Sequence, residues 1–140
     1  MGNSQSSPKV NFEDVQFVLK NSESHILINT LDINDQICLL PNTIDASQEE
    51  IIINKLIKSG NKGIKIIVYG RNCNDEKIYT KQTQLCGLGF YNVFIYTGGM
   101  FEWMLLQDIY GANNFPTTKK ELDILKFKPV KTLNISLLEY

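Results

Sequence analysis

The residues best able to do chemistry lie in one six-residue segment, Gly70-Arg71-Asn72-Cys73-Asn74-Asp75, between the apolar run Ile64–Tyr69 (IKIIVY) and a helix-forming stretch that ends near Cys86. A loop in that position can turn several backbone N–H groups inward, and the dipole of the following helix favours an anion there. The spacing therefore describes an anion cradle. Arg71, the chain's only arginine, adds a forked and permanently charged donor set. Cys73 is the one thiol in the loop and the candidate nucleophile. Inward N–H groups and Arg71 would favour its thiolate, whereas Asp75 and Glu76 bring opposing charge to the same helix end. A small, unreactive loop residue is the alternative reading of Cys73.

Other reactive types are sparse. Cys38, Cys73 and Cys86 form an odd set with no Cys-x-x-Cys pair, and His25 is the single histidine. No familiar metal-ligand spacing results, and no metal or cofactor is expected. A disulfide framework is equally absent from the pattern, which favours a reducing compartment. Cys38 and Cys86 sit in apolar contexts and read as core residues. His25 opens a strand and reads as packing or solvent-facing. A net charge of −1 gives no sequence-wide field for nucleic acid or anionic lipid. No run approaches the ~20 apolar residues of a membrane span, and the first residues lack a signal-peptide core. The expected location is cytoplasmic, and the sequon Asn134-Ile135-Ser136 is then an accident of composition.

The elements that must position the loop follow from periodicity and punctuation. Residues 1–10 read as a disordered polar arm. Met1 through Ser6 fit a myristoylation pattern that would modify Gly2. One such chain anchors marginally, and Lys9 is the only basic residue nearby, so any membrane contact is weak and reversible. Asn11 caps a helix over Phe12–Lys20 with Phe12, Val15 and Leu19 on its apolar side. His25–Asn29 reads as a buried strand, and Gln36–Leu40 is a short apolar run ended by Pro41. Ser47-Gln48-Glu49-Glu50 has the form of a capping box opening a helix that Gly60 stops. Ile64–Tyr69 is the strongest strand. The helix after the loop buries Ile78, Leu85 and Cys86, with Gly87 as its stop. Asn92–Tyr96 is a further strand, and Gly98-Gly99 turns into a helix over Met100–Ile109. Strands alternating with helices imply an α/β domain with a mainly parallel sheet over residues 11–118. Residues 119–140 form a C-terminal extension that docks on the body or on a partner.

The order of motifs is similar to that of the rhodanese, or sulfurtransferase-type, family. Val68-Tyr69, then the six-residue loop, then Gly89-Phe90-Tyr91-Asn92-Val93 and Gly98-Gly99-Met100-Phe101-Glu102-Trp103 match that family's pattern over roughly residues 11–117. The longer stretch from Trp103 to Gly111 resembles a divergent branch in protists and large DNA viruses. The resemblance implies a three-layer fold with the loop as active site. It also implies a cysteine at the loop's first position and an arginine at its last. Gly70 and Asp75 stand there instead. A glycine cannot carry sulfane sulfur, and Asp75 reverses the charge where an anionic substrate would sit.

The expected function is accordingly an inactive, binding or regulatory module with an unidentified protein partner. A sulfurtransferase or sulfur carrier using Cys73 is one alternative, and a membrane-tethered or virion-associated component is another. Gly70, Arg71, Asn72, Cys73, Asn74 and Asp75 form the candidate anion cradle. Asp75 is expected to fold its own carboxylate onto the loop amides in preference to an external small anion.

Overall fold

Ile66 and Val68 face one side of the sheet and Ile67 and Tyr69 the other, as alternation along a strand requires. All four are at most 3% exposed, so this strand, β3 (Lys65–Tyr69), is covered on both faces. The computed structural model describes residues 8–133. In it β3 lies between β4 (Val93–Tyr96) and β2 (His25–Asn29), and β1 (Lys9–Val10) adds to the far side of β4. The order is β1-β4-β3-β2, and every pairing is parallel.

Two helical layers complete the fold. Helices α1 (Phe12–Lys20) and α4 (Gly99–Tyr110) pack Val15, Val18, Met100 and Trp103 on the face bearing Ile67 and Tyr69. Helices α2 (Glu49–Lys58) and α3 (Lys77–Gly87) pack Ile53, Ile78 and Leu85 on the face bearing Ile66 and Val68. The result is the expected three-layer α/β arrangement, with Ile64–Tyr69 supplying the internal strand. Register then places the site. Val10, Tyr96, Tyr69 and Asn29 pair across the four strands as their last residues. The carboxyl ends are level, and the segments leaving them gather at one edge.

Several local details differ from the sequence reading. Lys9 and Val10 are not part of a loose arm, because they pair with Ile95 and Tyr96. A parallel neighbour supplies bonding partners that a polar composition does not reveal. The Gly2 pattern lies outside the described residues. The cap before α2 is Asp45, whose carboxylate accepts the N–H of Ser47 at 2.9 Å and opens a 3₁₀ turn over Ala46–Gln48. The residue that stops α3 is Gly89, at φ +103°, two positions beyond Gly87. Cys86 is exposed, whereas Cys38 is buried as expected. The inward positions of α3 are Ile78, Gln82 and Leu85, and Cys86 falls about 100° further round the helix. Gln82 takes its core-facing position by donating to the Val93 carbonyl at 3.2 Å.

The C-terminal segment docks on the body as far as it is described. Trp103, fully buried, donates its indole N–H to the Pro116 carbonyl at 2.9 Å and packs edge-on against Phe115. The N–H of Thr118 reaches the Leu39 carbonyl at 2.8 Å. A 3₁₀ turn over Ile124–Phe127 then buries the Phe127 ring completely.

Candidate functional site: the loop at the carboxyl edge

The loop begins at Gly70, directly after β3. Its first two carbonyls, of Gly70 and Arg71, each accept an N–H from the start of α4, from Met100 and Phe101 at 3.0 Å. Two otherwise orphaned donors of that helix are satisfied in this way. Such an approach requires Gly99, which sits at φ +64°. A Cβ there would lie 2.7 Å from the Gly70 carbonyl oxygen and 2.9 Å from the Asn72 nitrogen. Gly99→Ala should therefore destabilise the domain by about 2–3 kcal/mol, combining left-handed strain with overpacking against backbone. Urea denaturation reads this directly, and an unchanged midpoint would show that the approach is slack.

Asp75 closes the loop from its other end. One carboxylate oxygen accepts the N–H of Arg71 at 3.0 Å and the hydroxyl of Thr30 at 3.0 Å, and the other accepts the N–H of Lys77 at 2.9 Å. The side-chain oxygen of Asn72 accepts the N–H of Asn74, and the Asn72 carbonyl accepts the N–H of Asp75. The amides of Arg71, Asn74, Asp75 and Lys77 thus have partners within the loop. The same carboxylate fills the space in front of Gly70, where an added Cβ would collide with it and lie 2.7 Å from the Thr30 hydroxyl.

The remaining loop side chains point to different partners. Arg71 bonds Asp35 at 2.6 Å and the carbonyl of Lys126, and its guanidinium lies 5.4 Å from the centre of the Phe127 ring. It neither enters the cradle nor points freely to solvent. Asn72, buried, donates to the Phe127 carbonyl at 2.9 Å. Cys73 is exposed, and its Sγ donates to the Asn74 side-chain oxygen at 3.8 Å. It shares a shallow opening with Asn74, Glu76 and Tyr79. The N–H groups of Arg71, Asn74, Asp75 and Lys77 all bond oxygen acceptors and not this sulfur.

The segment after β2 brackets the loop with opposite charge. Thr30 bonds Asp75, Asp32 pairs with Lys77 at 2.8 Å, and Asp35 pairs with Arg71. The Lys77 ammonium beside Asp32 holds that carboxyl below its usual range, and Asp32 in turn raises Lys77. Thr30, Asp35, Lys126 and Phe127 were not visible as site residues in the sequence. Only Thr30 carried a signal, since it follows a strand end in a parallel sheet. Among the described residues no group of three His, Cys, Asp or Glu side chains is placed to hold a metal, and no helix is long and apolar enough to cross a membrane.

The profile of the rhodanese-like domain family matches residues 12–106. The chain belongs to the rhodanese-like family. Its fold is similar to a rhodanese-like domain from Anabaena, with 21% identity, a TM-score of 0.57, and coverage of 92% of this chain and 89% of that one. It is also similar to a single-domain sulfurtransferase from Saccharomyces cerevisiae, with 16% identity, a TM-score of 0.53, and coverage of 81% and 99%. A thiosulfate sulfurtransferase from Pseudomonas aeruginosa shows 19% identity and a TM-score of 0.54 over 71% of this chain and 19% of that one. No curated protein matches the chain in sequence. In this rhodanese-like domain the loop lies at the carboxyl edge of the sheet, with Gly70 first and Asp75 last.

Proposed function

We propose that this rhodanese-like domain is a binding or regulatory module and not a sulfurtransferase. One observation carries the reading: the Asp75 carboxylate fills the space in front of Gly70 and accepts the N–H of Arg71. Sulfur transfer to a cysteine at this position would need a thiolate where the Asp75 oxygen stands. An anionic substrate would also approach a carboxylate, at a separation where like charges repel by a few kcal/mol at effective dielectric constants near a protein surface. The neighbours described as sulfurtransferases share the fold at 16% and 19% identity. At that distance the fold carries over and the chemistry does not.

Cys73 offers no equal substitute. Its sulfur is exposed and lies outside the hydrogen bonds that the loop amides make. The expected result is no thiosulfate:cyanide sulfurtransferase turnover above a protein-free control, with Cys73→Ser indistinguishable from the unmodified chain. Robust turnover that disappears in Cys73→Ser would overturn the proposal and establish the displaced thiol as the nucleophile.

A further inference from the structure

Beside the loop, the chain makes a contact with the form of a bound peptide. Residues 124–127 form a single 3₁₀ turn held by its own bonds, from the N–H of Lys126 to Asp123 and from that of Lys128 to Leu125. Among the described residues, 120–133 make no backbone–backbone hydrogen bond to the rest of the domain. The attachment uses the Phe127 ring, two carbonyls and one ammonium, with Ile124 half-buried against the same core. Phe127 is fully buried, the Lys126 carbonyl accepts from Arg71, and the Phe127 carbonyl accepts from Asn72 at 2.9 Å. The Lys126 ammonium lies 3.2 Å from Glu121 of its own segment and reaches Asp35 across the contact at 3.6 Å. Leu125 within the turn is 61% exposed, and Leu122 and Val130 on either side of it are each 83% exposed. One deeply set anchor, paired main-chain carbonyls and solvent-facing flanks are features of a peptide seated in a pocket. The turn also lies outside residues 12–106, the part matched by the family, whereas Arg71, Asn72 and Asp35 lie inside it.

We propose that Asp35, Arg71 and Asn72 form the polar wall of a peptide-binding groove that the chain fills with its own residues 124–128. The inference rests on the reading of the domain as a binding module and names its ligand class. That ligand is a partner segment with a lysine followed by an aromatic residue, presenting two successive carbonyls. Asp35 selects the ammonium, the Arg71 guanidinium covers the ring, and the Arg71 and Asn72 donors read the carbonyls. The internal turn competes at high effective concentration, so a partner binds only when it outcompetes or displaces the turn. Arg71 then serves recognition of a peptide, in a loop where its own N–H is already bonded to Asp75.

The test uses the full chain and a fluorescent peptide with the sequence of residues 121–130. Phe127→Ala, which removes the internal anchor, should bind the peptide at least tenfold more tightly than the unmodified chain does. Replacing the peptide's own phenylalanine by alanine, or adding Asn72→Ala to the protein, should abolish that gain. A cooperatively melting Phe127→Ala chain with no gain would overturn the groove. Hydrogen exchange on the unmodified chain provides a measurement that does not depend on the variant folding. The amides of Lys126 and Lys128 should exchange at least a hundredfold faster than those of Ile67 and Ile95, through local opening. Equal protection would overturn the proposal, because a turn released only by global unfolding cannot yield its seat. Concentration-dependent dimerisation reversed by the peptide would assign the groove to a second copy and reject the separate partner. Sulfur transfer by the unmodified chain would defeat the parent reading instead, and the two failures are distinguishable.

Discussion

A cysteine installed at position 70 should not by itself produce a sulfur-accepting loop. In the folded chain the new Cβ would collide with the Asp75 carboxylate and lie 2.7 Å from the Thr30 hydroxyl. Gly70→Cys is therefore expected to cost about 1–3 kcal/mol through overpacking. Its thiol would stay protonated beside a carboxylate that already accepts the Arg71 N–H. Asp75→Ala alone should also destabilise, by about 1–3 kcal/mol, since the N–H groups of Arg71 and Lys77 lose a charged acceptor. Combined, the two changes should cost less than their sum by about 1 kcal/mol or more, because removing the carboxylate makes room for the sulfur. In that double variant the Arg71 N–H is free to stabilise a thiolate. The thiolate can then attack the outer sulfur of thiosulfate, breaking the S–S bond with sulfite as leaving group. Carried out in a Cys73→Ser/Cys86→Ser background, intact mass measurement should show one added sulfur atom on the double variant and none on Gly70→Cys. Additive stabilities, or equal sulfur uptake by both, would show that Asp75 does not block the site.

How much of this was legible in the sequence depended on how far apart the partners lie. Helix α1 was readable to its ends because its signals are local: Asn11 and Asp14 cap one another reciprocally at 3.0 Å. The central strand was readable because four successive apolar residues require cover on both faces. Asp75 could be expected on its own loop, since a carboxylate at a helix start has nearby N–H groups to accept. Arg71 could not be placed. Its charge partner Asp35 is 36 residues distant in sequence, and Asn72 finds the Phe127 carbonyl at a separation of 55. Nothing in the segment Lys126-Phe127-Lys128 shows the periodicity by which a buried ring is normally recognised. Helix α3 ends at Gly87 as read, but the glycine that turns the chain was misassigned for a different reason. Gly87 and Gly89 are both plausible stops by type, and the positive φ that decides between them is a property of the folded chain.

Raising the pH should unfold this domain with a steepness set by two tyrosines. Tyr69 and Tyr96 pair in register on adjacent strands and are at most 1% exposed. Burial raises the Tyr69 phenol above its ordinary value of 10.0, and hydrogen bonds with the Thr43 hydroxyl and the Leu40 N–H offset only part of that shift. Burial raises Tyr96 as well, and the Glu102 carboxylate, which accepts its hydroxyl at 2.5 Å, pushes it further in the same direction. A phenol with a raised folded-state pKa binds its proton more tightly in the native chain than in the unfolded one. Its contribution is therefore complete below the unfolded pKa and is lost as pH climbs from there towards the folded value. Each tyrosine should remove about 1.4 kcal/mol per pH unit in that window, so together they should cost about 3 kcal/mol between about pH 9 and about pH 11. That is a large share of a typical domain's 5–15 kcal/mol. Lys77 and Lys126 are raised in the same direction, but the Lys77–Asp32 pair is solvent-exposed and the Lys126 pairs half-exposed at the surface, so their effect is screened. Urea denaturation across this range should show a progressive loss of stability, and tyrosinate absorbance should show two phenols ionising only as the chain unfolds. Tyr96→Phe lowers stability at neutral pH by removing a bond to Glu102, yet it should halve the alkaline slope. Tyr69→Phe should do the same while leaving Thr43 its bond to the Leu40 carbonyl at 2.6 Å. A stability that stays level to about pH 11, or a slope unchanged in both variants, would show that neither phenol is held protonated by the fold.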